Sequence, residues 1–125
     1  MSQFLLRQTA SGVKFDLLAT NGQVILTSEV YTSRAAAIKG IASIRLIASD
    51  ANLENQTEEG WKAQSNPKFE MYQDRAGGYR FRLKARNGKI VGISESYTTK
   101  AGCLNGVESV KKNAAQADFE EQRRL

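Results

Sequence analysis

Three observations predict an α+β fold of two tandem β-β-β-α repeats, each with an antiparallel sheet and one helix, packed as a pseudo-twofold internal dimer. The chain matches itself when shifted by about 66 positions. Each half carries a period-2 strand pattern around an Asn-Gly pair, and each then changes to helical spacing after a hydroxyl-rich junction. The 125 residues give room for one compact domain or for two small units sharing a core.

The repeat is dense in identities. Gly12, Phe15, Leu17, Ala19, Asn21, Gly22, Ser28, Glu29, Tyr31 and Thr32 meet Gly78, Phe81, Leu83, Ala85, Asn87, Gly88, Ser94, Glu95, Tyr97 and Thr98. Upstream the offset drops by one, Phe4 facing Phe69, so the second copy holds an extra residue near Ala76-Gly77-Gly78. An insertion in a glycine turn is what a duplicated fold tolerates. The copies span 1–55 and 68–125. The polar stretch 56–67 between them, with the single proline, reads as a linker pinned to the core by Trp61.

Each copy opens on a short apolar strand, Phe4-Leu5-Leu6 or Phe69 to Tyr72. An alternating strand follows a glycine turn: Tyr79 to Arg86 places Tyr79, Phe81, Leu83 and Ala85 on one face, as Val13, Phe15, Leu17 and Ala19 do in the first copy. Asn21-Gly22 and Asn87-Gly88 predict type I′ hairpins, setting Leu18 against Ile25 and Lys84 against Val91. Ile38, Ile41 and Ile44, and Leu104, Val107 and Val110, form helical stripes behind capping hydroxyl residues. Gly40 and Gly106 fall mid-helix, where glycine costs about 1 kcal/mol against alanine, which predicts close packing there against the sheet or the other helix. Leu53 and Phe119 follow the helices and suit a short extra strand or a packing clip. Apolar residues on both sheet faces predict that the second copy covers the face away from the helix; a homodimer partner is the alternative cover.

The runs from Lys68 to Val91 and from Ser94 to Ala114 closely resemble the bacterial YegP-like family, small proteins built on a domain of unknown function that occur as paired single units or tandem duplicates. The resemblance covers nearly the whole chain. The first copy is more diverged, as in Arg7 to Ser11 and Arg45-Leu46-Ile47. It implies an α+β fold with intimately associated repeats, and it implies no activity and no catalytic residues.

Composition narrows the function classes. There are no histidines and one cysteine, so the commonest general base, the usual triads and an internal disulfide are missing. Acidic residues are scattered, so no metal site is expected, and no cofactor is expected either. No apolar window reaches membrane-spanning length and the N-terminus lacks a signal pattern, which predicts a cytoplasmic protein with no membrane partner.

The net charge of +5 is concentrated in the second copy, whose twelve Lys/Arg oppose seven Asp/Glu. Arg80, Arg82, Lys84 and Arg86 share one strand face and could follow a phosphate backbone, with Tyr72 as a stacking neighbour. Against that stands a solvated sheet face partly neutralised by Glu70. The second candidate is the duplicated junction, Glu29 with Tyr31 and Glu95 with Tyr97, where caps and turns need the same residue types that a ligand would. Cys103 reads as a packed helix residue. The predicted function is a non-enzymatic binding or interaction module for an unknown protein or anionic ligand. A weak, sequence-tolerant nucleic-acid binder is the alternative, and an enzyme acting at the Ser-Glu-x-Tyr-Thr junctions comes last.

Overall fold

Strands β1 (Gln3–Thr9), β2 (Gly12–Leu18) and β3 (Val24–Thr27) form an antiparallel meander in the computed structural model, which describes residues 1–122. Helix α1 (Arg34–Ile47), a 3-10 turn (Ala48–Asp50) and β4 (Asn52–Asn55) follow. The same order then recurs as β5 (Lys68–Gln73), β6 (Tyr79–Lys84), β7 (Ile90–Ile93), α2 (Lys100–Asn113) and β8 (Asp118–Glu121). Ser33 and Thr99 cap the helices by accepting from the amides of Ala36 and Gly102.

Two parts of the predicted architecture need correction. Each run is β-β-β-α-β, since the segments holding Leu53 and Phe119 are strands. The strands also do not form two antiparallel sheets: they merge into one mixed eight-stranded sheet, ordered β4-β5-β6-β7-β3-β2-β1-β8. The last strand of each run pairs in parallel with the first strand of the other, β4 with β5 and β8 with β1. A parallel partner needs a crossover, and the helix supplies it. Helix α1 lies over β2 and β7, so the chain leaves its own meander before forming β4. The outer strands dock by matching backbone bonds: Asp118 N donates to Ser2 O at 3.0 Å, and Asn52 N to Pro67 O at 3.0 Å.

Both helices cover the same sheet face. Phe4, Phe15, Phe69 and Phe81 are fully buried there in edge-to-face pairs at 5.9 and 5.7 Å. Tyr31 stacks on Phe15 and Tyr97 on Phe81, and their hydroxyls lie where side chains at Gly40 and Gly106 would project. The mid-helix glycines therefore admit a tyrosine ring of their own run rather than the other helix.

The opposite face carries no second copy. The two runs lie edge to edge, and Leu5, Leu18, Val24, Ile90 and Ile93 on that face remain half-exposed. Trp61 is 47% exposed and does not pin the linker. Glu54 does so instead, accepting from Gln56 Nε2, Gln64 N and Lys68 Nζ at 2.7 Å each.

The hairpins also differ from expectation. Only Gly22 and Gly88 have positive φ, 84° and 82°, so Asn21 and Asn87 do not. Gly22 N bonds to Ala19 O and Ala19 N to Gln23 O, a type I turn followed by a glycine bulge. The bulge shifts the register by one, so Leu18 faces Val24 and Lys84 faces Ile90.

Candidate functional site

The two runs meet at a narrow seam, where β3 and β7 touch through one bridging pair, Thr27 with Ile93. These residues occupy equivalent repeat positions, so a pseudo-twofold axis passes between them. On the helix-free face the seam opens into a groove of about 370 Å³. Its walls repeat about the axis: Lys14 and Arg80, Ser28 and Ser94, Glu29 and Glu95, with Thr27 and Ile93 as the floor and Val30 on one side.

Local chemistry builds this shape. Ser28 and Ser94 are buried, and each hydroxyl accepts from the amide of Phe15 or Phe81 at 2.9 Å and donates to the carbonyl of the next glutamate at 2.7 Å. Both hydroxyls are thereby occupied, and each clamp turns its glutamate outward. Glu29 and Glu95 are exposed at the two ends of the groove. Arg80 reaches it with its Nε donating to Asp74 at 3.0 Å and its NH1 to the Ser94 carbonyl at 3.4 Å.

Of the residues singled out from sequence, Glu29, Glu95 and Arg80 come together in this groove. Tyr31 and Tyr97 do not line it; their rings pack under the helices. Burial, followed by the nearby Glu29, pushes the Tyr31 phenol upward, and burial, then Cys103 and Glu95, does the same for Tyr97. Both stay neutral ring-packing groups.

The basic row is an ion-pair lattice. Glu70 sits at its centre with its carboxylate 2.6 Å from Arg82 Nε and 3.3 Å from both Lys68 and Lys84 Nζ. Burial pushes Glu70 upward, but the hydrogen bond and charge of Arg82, helped by Lys68 and Lys84, hold it below the usual carboxylate range. Arg82 also lies 4.8 Å from the Tyr72 ring centre. Arg86 falls beyond the end of β6 and is exposed, so it does not extend the row.

Sequence reasoning missed Lys14, Thr27, Val30 and Ile93 as groove residues. The first was visible as the partner of Arg80 across the repeat. The others needed the order of strands, because nothing along the chain says that β3 and β7 become neighbours.

The model of a domain of unknown function, DUF1508, matches residues 9–54 and again residues 74–121. The chain belongs to the DUF1508 family. It is 42% identical to the UPF0339 protein YegP of Escherichia coli O157:H7 over 109 residues, covering 87% of this chain and 86% of that one. It is 34% identical to the UPF0339 protein PA0329 of Pseudomonas aeruginosa over 122 residues, 97% of each chain. A UPF0339 protein of Treponema denticola matches over 50 residues at 56% identity, 40% of this chain and 86% of its own length, so that family member is about one repeat long.

The solution NMR structure of the E. coli protein of unknown function yegP superposes with a TM-score of 0.78 at 31% identity, covering 97% of this chain and 92% of that one. The UPF0339 protein SO3888 of Shewanella oneidensis gives 0.79 at 28% identity, covering 96% and 90%. The family is uncharacterised, and the resemblance read from Lys68 to Ala114 holds.

Proposed function

We propose that this DUF1508 protein is a non-enzymatic binding module, built from units at 1–55 and 68–125 joined by the connector 56–67, with the seam groove as its site. The observation that supports this is the composition of the groove: equivalent residues of both repeats converge there, Lys14 with Arg80, Ser28 with Ser94 and Glu29 with Glu95. Its floor is small and mixed, Thr27 with Ile93, and both ends carry a cation and a carboxylate. Such a surface suits a short extended peptide bearing charges of both signs better than a compact apolar molecule.

The groove's hydroxyls serve the fold, Thr27 donating to Asp16 at 2.8 Å and Ser28 and Ser94 to backbone carbonyls at 2.7 Å, which favours binding over catalysis. A buried Cys103 as the free thiol agrees with a reducing cytoplasm. The nucleic-acid reading draws no support from the fold, because Arg82 and Lys84 are both engaged by Glu70 on their own sheet face and Arg86 lies beyond the strand.

The test is a titration of isotope-labelled protein with mixed pentapeptides of alternating Lys, Glu and small residues, followed by amide NMR shifts. Shifts centred on Thr27, Glu29, Ile93 and Glu95, lost in Glu29→Gln/Glu95→Gln, support the assignment. Saturable binding with shifts confined to other surfaces contradicts it.

A further inference from the structure

We infer that the seam is a key and slot that pairs unlike repeats: Leu26 of the first run is the key, Gly92 of the second is the slot, and neither edge fits a copy of itself. The two residues are repeat equivalents, 66 positions apart, and they lie on the helix side of the seam beside the Thr27–Ile93 bridge. Leu26 is fully buried. A β-carbon built on Gly92 would come within 2.5 Å of Leu26 Cγ, 2.7 Å of its Cδ2 and 3.0 Å of its Cδ1. The leucine of one repeat therefore occupies the space in which its counterpart's side chain would stand.

Symmetry makes this a specificity device. On a twofold axis two identical edges must present the same residue twice. Two leucines would collide at the seam, and two glycines would leave a void the size of a leucine side chain. Only the unlike pair fills the space. The flanks are otherwise matched: Leu17 lies beside Leu26 and Leu83 beside Gly92, both fully buried, with Ile41 and Ile44 on α1 answered by Val107 and Val110 on α2. Among the equivalent residues at the seam, this pair differs most in side-chain size. A duplicated chain can hold such an asymmetric interface, whereas a paired single-unit protein cannot. The first run's edge is fitted to a partner edge with glycine at this position.

Four full-length proteins test this: the natural chain, Gly92→Leu, Leu26→Gly, and the exchange Leu26→Gly/Gly92→Leu. Their melting temperatures are measured together with amide exchange at Thr27 and Ile93. The inference predicts that each single variant melts about 8–20 °C below the natural chain, and that the exchange recovers at least half of the larger loss and restores slow exchange at the bridge. Gly92→Ala, a milder insertion, keeps the test open should Gly92→Leu not fold; it is expected to melt about 4–10 °C lower. An exchange variant that melts as low as the sum of the two single losses, or a Gly92→Ala as stable as the natural chain, overturns the inference.

Discussion

Lys68 and Glu54 stand on opposite sides of the connector, yet the Lys68 ammonium donates to the Glu54 carboxylate at 2.7 Å across the parallel pair β4–β5. Both side chains are nearly inaccessible, 12% and 1% exposed. This contact joins the last strand of one run to the first strand of the next and folds the connector over it.

The acid limb of the stability curve should report that contact. Burial pushes the Glu54 carboxyl upward, but hydrogen bonds from Lys68, Gln56 and the Gln64 amide outweigh it and hold the group at about 2, against an ordinary value of 4.5. A depressed carboxylate stabilises the fold above its unfolded value and loses that contribution as pH falls through the folded one, between about 4.5 and 2. Glu54→Gln should reduce stability at pH 7 by about 1–3 kcal/mol. Its denaturation midpoint should also fall less steeply than the natural chain's below pH 4.5. Parallel acid limbs in the two proteins would rule the contact out as the source.

Gly106→Ala should destabilise even though alanine is the better helix former. The added methyl would meet the Tyr97 ring and come within 3.0 Å of Phe81 Cε2. A loss of about 1–3 kcal/mol by urea unfolding is expected, smaller in a Tyr97→Phe background where the hydroxyl is gone. Equal losses in both backgrounds would show that the Tyr97 hydroxyl is not the obstacle.

Ser94→Ala should cost about 1–3 kcal/mol, because the buried Phe81 amide then loses its acceptor. The amides of Glu95 and Ser96 should exchange faster in that variant, and Ser28→Ala should do the same to Glu29 and Val30. Unchanged exchange at those residues would mean that the serine clamp does not hold the junction.

Cys103 should be slow to label in the folded protein. Burial pushes its thiol up to about 11, from an ordinary 9.0, so little thiolate forms at pH 8. A thiol reagent should react at the rate of unfolding in buffer and at the rate of a free thiol in urea. Equal rates in both conditions would contradict the burial.

Much of this fold was legible along the chain. The repeat, the alternating strand from Tyr79, the caps at Ser33 and Thr99 and the stripes on both helices are local signals, carried by residues within a turn or a strand of one another. The swap of β4 and β8 was not, because Leu53 and Phe119 are single apolar residues in short polar strands, and their partners Phe69 and Phe4 lie in the other run. The hairpin type was misjudged for a smaller reason: Asn-Gly serves both a type I′ turn and a type I turn with a glycine bulge, and the side chain of Asn21, accepting from Gln23 N at 3.0 Å, goes with the second. In the candidate site, Glu29, Glu95 and Arg80 were visible as repeated or basic positions. Their convergence was not, because it depends on β3 and β7 meeting.

The single eight-stranded sheet rests on the outer strands being exchanged between the two runs. The most direct measurement is NMR detection of through-hydrogen-bond couplings in the full chain. The account predicts couplings from the Asp118 amide to the Ser2 carbonyl and from Gln122 to Leu6, together with Asn52 to Pro67 and Gln56 to Met71. Couplings instead from Asn52 to Ser2 and from Asp118 to Pro67, which would pair each outer strand within its own run, would contradict it.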